Sequence, residues 1–446
     1  MIDWEAAGRE VTGYLQALIR IDTTNPPGNE TAAARYLAGI LEREGIAPAV
    51  TESAPRRGNV TGRLRGGSAA PLLLLGHTDV VGVEAARWTH PPFGGELVDG
   101  YVWGRGALDM KCMVAAELMV LLLLKRQGAT LRRDVLFAAT ADEEAGEGGH
   151  GIGWLLDHHP EQVEAPVVLT EGGGSDLCVN GQRYYTCQVG QKGTCRLRVR
   201  ASGSPGHGSM PHDDNAVVRL CRALAGLDGA RLPTHVSAGL RGYVEGIAAH
   251  QPEAVAVLLR RALEPGHSDD ALEQLPLPSS FKDQLRALMR NTASLTMLVA
   301  GSKINVIPAE AVAHVDGRLA PGQTQETFLA ELRSQLGDDV EIEVLLYRQG
   351  LEATADTDFF RTVQAVMARH DPEAPVLPSM STGGTDAKHI CPRRPAAQVY
   401  GFMPHHQRAG EEEMRLIHGH DERIAVENLV FGTRVLYDLV LEYCAA

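Results

Sequence analysis

The chain has 446 residues, of which 44 % are hydrophobic and 22 % charged, a composition that excludes extended disorder and a length that suits two domains. Its 42 basic and 56 acidic side chains leave a formal charge of -14, a field that repels phosphate backbones and argues against a nucleic-acid partner. The seven cysteines are odd in number and never form a CxxC pair, which argues against a disulfide framework and for a reducing, cytoplasmic setting.

The first residues, MIDWEAAGREV, carry acids where a secretory signal carries Lys or Arg before an apolar stretch. Leu72–Leu75, Val135–Ala139 and Val167–Leu169 are short, wholly apolar runs separated by helix-like stretches. Strands buried on both faces have this pattern, so a parallel sheet covered by helices is expected. The most apolar run, Met113 to Leu124, is interrupted by Glu117; it falls short of the roughly 20 residues a membrane span needs and is expected to be a buried helix.

From about residue 188 the pattern changes. Leu197 and Val199 alternate with Arg196, Arg198 and Arg200, and Val315 sits among His314, Asp316 and Arg318. Period-two alternation signals an antiparallel sheet with one wet face. Between these strands Ala216–Leu227, Pro252–Leu263 and Phe281–Met289 carry helical spacing. After about residue 350 the first pattern returns, with a helix expected over Asp358–His370, a strand over Ala396–Phe402 and a closing helix over Ala425–Tyr443. The fold class is therefore α/β: a mostly parallel sheet flanked by helices, residues 1–187 and 349–446, with an inserted α+β domain, residues 188–348.

Each apolar strand of the first domain is followed at its carboxyl end by residue types that can ligate metals. Leu72–Leu75 runs into Gly76-His77-Thr78-Asp79, Val135–Ala139 into Asp142-Glu143-Glu144, and Val167–Leu169 into Thr170-Glu171; Asp109 stands apart in GRGALDMK. Singly, these have ordinary explanations: a hydrogen-bonded histidine, a solvated acidic pair, a turn aspartate. Together they place His and several acids at the edge where parallel sheets build ligand sites. Carboxylates crowded there repel one another unless cations neutralise them. Imidazole and carboxylate without thiolate suit zinc, manganese or cobalt, and the excess of carboxylates favours two metal ions.

The stretches GHTDVV, WTHPPFGGELVDGYVWGRGALDMK, ADEEAG, TEGGG, SPGHGSMP, NVIP, STGGTDA and HGHDER resemble, in order and spacing, the dinuclear metallopeptidases. That family includes aminoacylase-1, acetylornithine deacetylase, succinyl-diaminopimelate desuccinylase and carboxypeptidase G2, and the long insertion together with TEGGG looks closer to its carboxypeptidase S-like peptidases and N-acyl-amino-acid hydrolases than to the compact desuccinylases. The resemblance implies a zinc-peptidase-like catalytic domain with an inserted lid that pairs two subunits. It implies that His77, Asp109 and Glu171 hold one divalent ion and Asp109, Glu144 and His418 the other, with His418 rather than His420 as the last ligand. Asp79 is implied to orient His77, Glu143 to be the general base toward a water shared by the ions, and His207 to stabilise the oxyanion. Asn305, Arg318, Gly384 and Thr385 match positions that hold a substrate carboxylate, and Cys112 is expected to pack rather than ligate. The implied activity is hydrolysis of the amide bond of an N-acyl amino acid or short peptide, in a homodimer acting on a small soluble substrate away from membranes. A dipeptidase or carboxypeptidase activity, or a catalytically silent homologue, are the alternatives. No GxSxG elbow, Walker loop or GxGxxG spacing occurs in the chain, which argues against a serine hydrolase or a nucleotide-binding protein.

Overall fold

The structure is a computed structural model that describes residues 2–145, 149–407 and 415–445. Its contacts divide the chain into two units: Met1–Val189 with Ala353–Ser379 and Thr385–Ala446, and Gly190–Glu352 with Met380–Gly384.

The first unit is built on a sheet in the spatial order Pro48–Ala54, Arg57–Leu64, Arg133–Thr140, Ala69–His77, Val167–Thr170, Gln398–Gly401. The last four of these strands run parallel to one another, and the first two are joined antiparallel at the edge. Leu72 to Leu75 and Val135 to Ala139 are at most 2 % exposed, as expected for strands covered on both faces. The apolar run after Asp109 forms the helix Lys111–Arg126, buried from Lys111 to Leu124. A helix that is apolar all round must be covered all round, and it packs against the strand Ala69–His77 and the helices Trp4–Arg20 and Val426–Cys444. The packing is close: a Cβ on Gly76 would come within 2.5 Å of Val114, so the residue before His77 must be glycine. Glu117 is fully buried in this layer, and burial pushes its carboxyl well above the usual carboxylate range.

The second unit carries a four-stranded antiparallel sheet in the order Thr292–Ala300, Glu310–Leu319, Gly193–Ser202, Glu341–Arg348. Cys195, Leu197, Val199 and Ala201 point into a core with Ala216 and Leu220 of the helix Ala216–Ala225 and Phe328, Leu332 and Leu336 of the helix Gln325–Leu336. The alternate residues Arg196, Arg198 and Arg200 face solvent, which is the physical content of their period-two spacing. Four helices, Ala238–Ala248, Glu253–Ala262, Ser268–Gln274 and Ser279–Leu288, form the insertion between strands.

The helix Asp358–His370 has the limits expected from the sequence, and the other element limits shift by up to three residues. The expected strand Ala396–Phe402 contracts to Gln398–Gly401, because Phe402 and Met403 already turn to bond with Thr170 and Gly173. The antiparallel edge strands, and Gln182–Gln191, which meets Gln398–Gly401 antiparallel, were not anticipated. Their mixed composition carries no clean period.

Candidate active site

The parallel strands deliver their acidic and imidazole side chains to one rim of the sheet. His77 is the last residue of its strand, Glu143 and Glu144 lie just beyond Thr140, and Glu171 follows Thr170. His77 Nδ1 donates to the backbone carbonyl of Asp79 at 3.0 Å, which turns Nε2 toward Asp109 Oδ1, 3.1 Å away, and Glu171 Oε2, 3.6 Å away. The other oxygen of Asp109, Oδ2, lies 3.2 Å from His418 Nε2, and Glu144 Oε2 lies 3.1 Å from the same nitrogen. Asp109 thus stands between two imidazole–carboxylate groups, one oxygen to each. Of the two histidines in HGH, His418 supplies these contacts.

The ligand-type atoms of His77, Asp109 and Glu144 all lie within 4.8 Å of one another, as do those of His77, Glu143 and Glu171. This donor set of imidazole nitrogens and carboxylate oxygens, without thiolate, suits divalent cations of the zinc kind. Glu143 differs from the others because its carboxylate is already ion-paired with Lys388, so an ammonium satisfies it without a metal.

The electrostatics record the crowding. Hydrogen bonds to Asp109 and Glu144 lift the His418 pKa to about 10. For His77 burial works the other way, but the Glu171 charge and hydrogen bonds to Asp109, Asp79 and Glu171 win and hold it well above its ordinary value. Burial, reinforced by the Asp109 charge, pushes Glu171 up to about 8. Asp109 is held well below the carboxylate range: burial opposes this, but hydrogen bonds with His418 and His77 outweigh it. Negative charge is concentrated here and draws protons or cations to itself.

Asp79 and Cys112 have expected roles near this arrangement; the parts played by Asn25, Arg57 and Glu422 in holding it are not evident from the sequence. Asp79 is wholly buried; its Oδ1 accepts the backbone N–H of Glu143 at 3.1 Å and its Oδ2 that of Glu144 at 3.0 Å, so it fixes the acidic turn, while the nearest partner of His77 Nδ1 is its carbonyl. Asn25 Nδ2 donates to Asp79 Oδ2 at 2.9 Å and to Asp142 Oδ1 at 3.1 Å. Arg57 binds the Asn25 side-chain oxygen at 2.9 Å and Asp142 at 2.8 Å. These bonds hold Asp142 at a φ of 68°, a left-handed conformation that costs a non-glycine residue energy and recurs at functional turns. His418 has a φ of 59°, and its loop is tied down by Glu422. That carboxylate is fully buried and accepts from Arg105 Nη1 at 2.7 Å, from the backbone N–H of Gly106 at 3.1 Å, Leu108 at 2.7 Å and Asp109 at 3.0 Å. One buried acid therefore joins the loop of Asp109 to the loop of His418. Cys112 is buried, with Sγ 3.3 Å from the Leu108 carbonyl.

The remaining expected residues lie as follows. In the second unit His207 pairs with Val306 across a two-residue ladder, and its Nδ1 lies 2.7 Å from Ser209 Oγ and 3.2 Å from the backbone nitrogen of the same residue. Asn305 is exposed beside it, its carbonyl accepting from Gly208 N–H at 2.9 Å. Arg318 Nε donates to Asp316 Oδ2 at 3.0 Å, so its guanidinium already has an acidic neighbour. Gly384, also in this unit, is exposed. Thr385, in the first unit, is buried, with Oγ1 accepting from the Ala387 N–H at 3.3 Å.

A family model described as peptidase family M20/M25/M40 matches residues 73–442. The N-fatty-acyl-amino acid synthase/hydrolase PM20D1 of Homo sapiens is 30% identical over 389 residues, covering 84% of this chain and 74% of that protein. The aminoacylase-1 of Sus scrofa is 28% identical over 427 residues, covering 93% of this chain and 90% of that protein. Among solved structures, an M20 family metallo-carboxypeptidase, Sso-CP2 from Sulfolobus solfataricus, superposes with a TM-score of 0.69 at 16% identity, covering 99% of each chain.

Proposed function

Because the chain belongs to peptidase family M20/M25/M40, we propose that this member hydrolyses the amide bond of N-acyl amino acids, with Asp109 shared between two divalent cations. The observation that carries this reading is the two-sided placement of Asp109, whose Oδ1 meets His77 and whose Oδ2 meets His418. His77, Asp109 and Glu171 would hold one cation and Asp109, Glu144 and His418 the other; zinc suits this donor set, with manganese and cobalt as alternatives. Such ions would polarise the amide carbonyl and acidify a water molecule between them.

The chain's own residues supply the rest. Glu143, buried and fixed through its backbone N–H by Asp79, takes the proton of the attacking water and delivers it to the leaving nitrogen. His207 is the donor for the developing oxyanion. Arg318, Asn305, Gly384 and Thr385 are the candidates for holding a free α-carboxylate, Arg318 by exchanging Asp316 for the substrate. N-acyl amino acids are favoured over peptides because one relative named above is by name an N-fatty-acyl-amino acid synthase/hydrolase and another an aminoacylase.

The second unit is proposed to be the lid and the dimer surface. Thr292–Ala300 is an edge strand whose Met297, Leu298 and Val299 are 56%, 58% and 59% exposed. An apolar edge of this kind is a template for pairing with another chain. A cytoplasmic setting is proposed from the seven cysteines, all of them free; no helix among the described residues is long and apolar enough to cross a membrane.

The test is chelation. Hydrolysis of N-acetyl, N-succinyl or long-chain N-acyl amino acids should be lost on exhaustive chelation and restored by Zn, Mn or Co. Turnover that survives chelation would end the reading.

A further inference from the structure

We propose that Lys388 is the positioning residue for Glu143, locking its carboxylate by binding the side chain and the main chain of that one residue at once. The proposal rests on the reading of Glu143 as the proton acceptor and deepens it. Lys388 Nζ lies 3.0 Å from the backbone carbonyl of Glu143 and also ion-pairs with Glu143 Oε1. A single ammonium shared by the carbonyl and the carboxylate of one residue closes a ring through its side chain. The χ angles between those two oxygens then have one setting in place of several staggered ones.

Glu143 has reason to need such a lock. Apart from His77, its neighbours at the rim, Asp79, Asp109, Glu144 and Glu171, are acids, and their repulsion favours turning an unheld glutamate outward. Its backbone N–H is pinned by Asp79, but that contact leaves the side chain to rotate. The side chains of Lys388 and Glu143 are only 12% and 9% exposed, so the pair works with little competition from water.

The anchor is itself rigid. Lys388 is in the first turn of the helix Ala387–Arg393, with its backbone N–H on the Thr385 carbonyl at 3.0 Å. The far end of that helix is fixed by Arg393, which binds Asp157 through two nitrogens at 2.9 and 2.8 Å. Asp386, two residues before Lys388, is buried, so the ammonium has a second carboxylate close in sequence, yet its hydrogen bonds go to Glu143.

The experiment compares wild type with Lys388→Met, Lys388→Ala, Lys388→Arg and Glu143→Ala. Metal content and steady-state kinetics are measured on the fastest substrate among N-acetyl-, N-succinyl- and N-palmitoyl-leucine and leucyl-leucine. Lys388→Met is expected to keep both cations, lower kcat about 100-fold and leave KM within about threefold, the range seen when a supporting partner is removed. Propylamine is expected to restore part of the kcat of Lys388→Ala, which no purely structural role would allow. An unchanged kcat in Lys388→Met, a rise in KM with kcat intact, or loss of a cation would each overturn the proposal. If Lys388→Met does not fold, Lys388→Arg retaining more than a tenth of the wild-type kcat together with propylamine-dependent Lys388→Ala supports it, and the absence of both overturns it. Glu143→Ala that still turns over would instead remove the reading of Glu143, a result distinct from any failure of Lys388.

Discussion

Asp79 meets Glu143 through the main chain: its Oδ1 accepts the Glu143 N–H at 3.1 Å while its Oδ2 accepts the neighbouring N–H of Glu144 at 3.0 Å. An asparagine there keeps one acceptor oxygen and replaces the other with a donor, so one of those N–H groups loses its partner in a buried site and faces an amide. Asp79→Asn is therefore expected to lower kcat/KM by about 10–100-fold, the usual loss for a partner that orients ligands. Metal content measured alongside the kinetics separates loss of the cations from misplacement of the turn. An effect smaller than twofold would make the Asp79 contacts incidental.

Glu143→Gln keeps the shape of the side chain and removes the group that accepts the proton. The expected outcome is two cations retained and kcat reduced by about 10²–10⁴, the scale of general acid–base assistance. Elemental analysis showing one cation missing would place Glu143 among the ligands, where its proximity to His77 and Glu171 also allows it to be.

Metal binding should release protons, and the sign of its pH dependence follows from the same contacts. His418 is lifted to about 10 by hydrogen bonds to Asp109 and Glu144, and Glu171 to about 8 by burial and the Asp109 charge. At pH 7 both carry a proton that a cation must displace. In chelated protein the raised histidine contributes stability that is complete below its unfolded value near 6.5 and is lost as pH rises through 10. The raised glutamic acid acts in the same direction, since the unfolded chain gives up its proton from about pH 4.5 and the folded one only near 8. The Tm of chelated protein should therefore fall between pH 6 and 9, while the gain in Tm on adding Zn should grow. Calorimetric titration in buffers of different ionisation enthalpy should show net proton release at pH 7; a titration without release would contradict the cluster's charge state.

What the sequence disclosed about this site was local. His77, Glu143, Glu144 and Glu171 stand at strand ends, and an apolar run followed by a ligand residue type is visible in a window of a few residues. The parallel core of the sheet was visible for the same reason, as unbroken runs such as Leu72–Leu75. What stayed hidden depends on partners far apart in the chain. Lys388 is 245 residues from Glu143, Asp142 is 85 from Arg57, and Glu422 is 317 from Arg105. No periodicity encodes such pairs. Glu422 falls within HGHDER, but only its hydrogen bonds to the 105–109 loop disclose a task for it. Asp316 could have been anticipated as the neighbour of Arg318, because residues two apart on a strand share a face.

The Arg318–Asp316 pair gives a prediction about specificity. If Arg318 holds a substrate α-carboxylate, Arg318→Ala should raise KM for an N-acyl amino acid by about 10-fold or more, the scale of a hydrogen bond to a charged group, and leave hydrolysis of the corresponding C-terminal amide nearly unchanged. Equal effects on acid and amide would remove the carboxylate role.

The edge strand Thr292–Ala300 makes the last prediction. It is bonded to Glu310–Leu319 on one side and ends the sheet on the other. Leu298 pairs with Ala313, which is fully buried, so Leu298 lies on the face of the strand that the helices cover farther in, yet it is 58% exposed. The helical layer therefore stops short of this strand, leaving apolar side chains and an open row of backbone N–H and C=O groups at the same border. Soluble chains blunt such borders with lysine or proline when nothing binds them, and neither residue type occurs between Thr292 and Ala300. A second copy of the chain adding its own edge strand would cover both features at once, as closed two-fold pairing of identical surfaces allows. Leu298→Lys together with Val299→Lys should convert a dimer in sedimentation or light-scattering measurements to a monomer, with the first unit's metal content unchanged. A wild-type chain that is monomeric at micromolar concentration, or a double variant that remains dimeric, would leave this edge without the partner assigned to it.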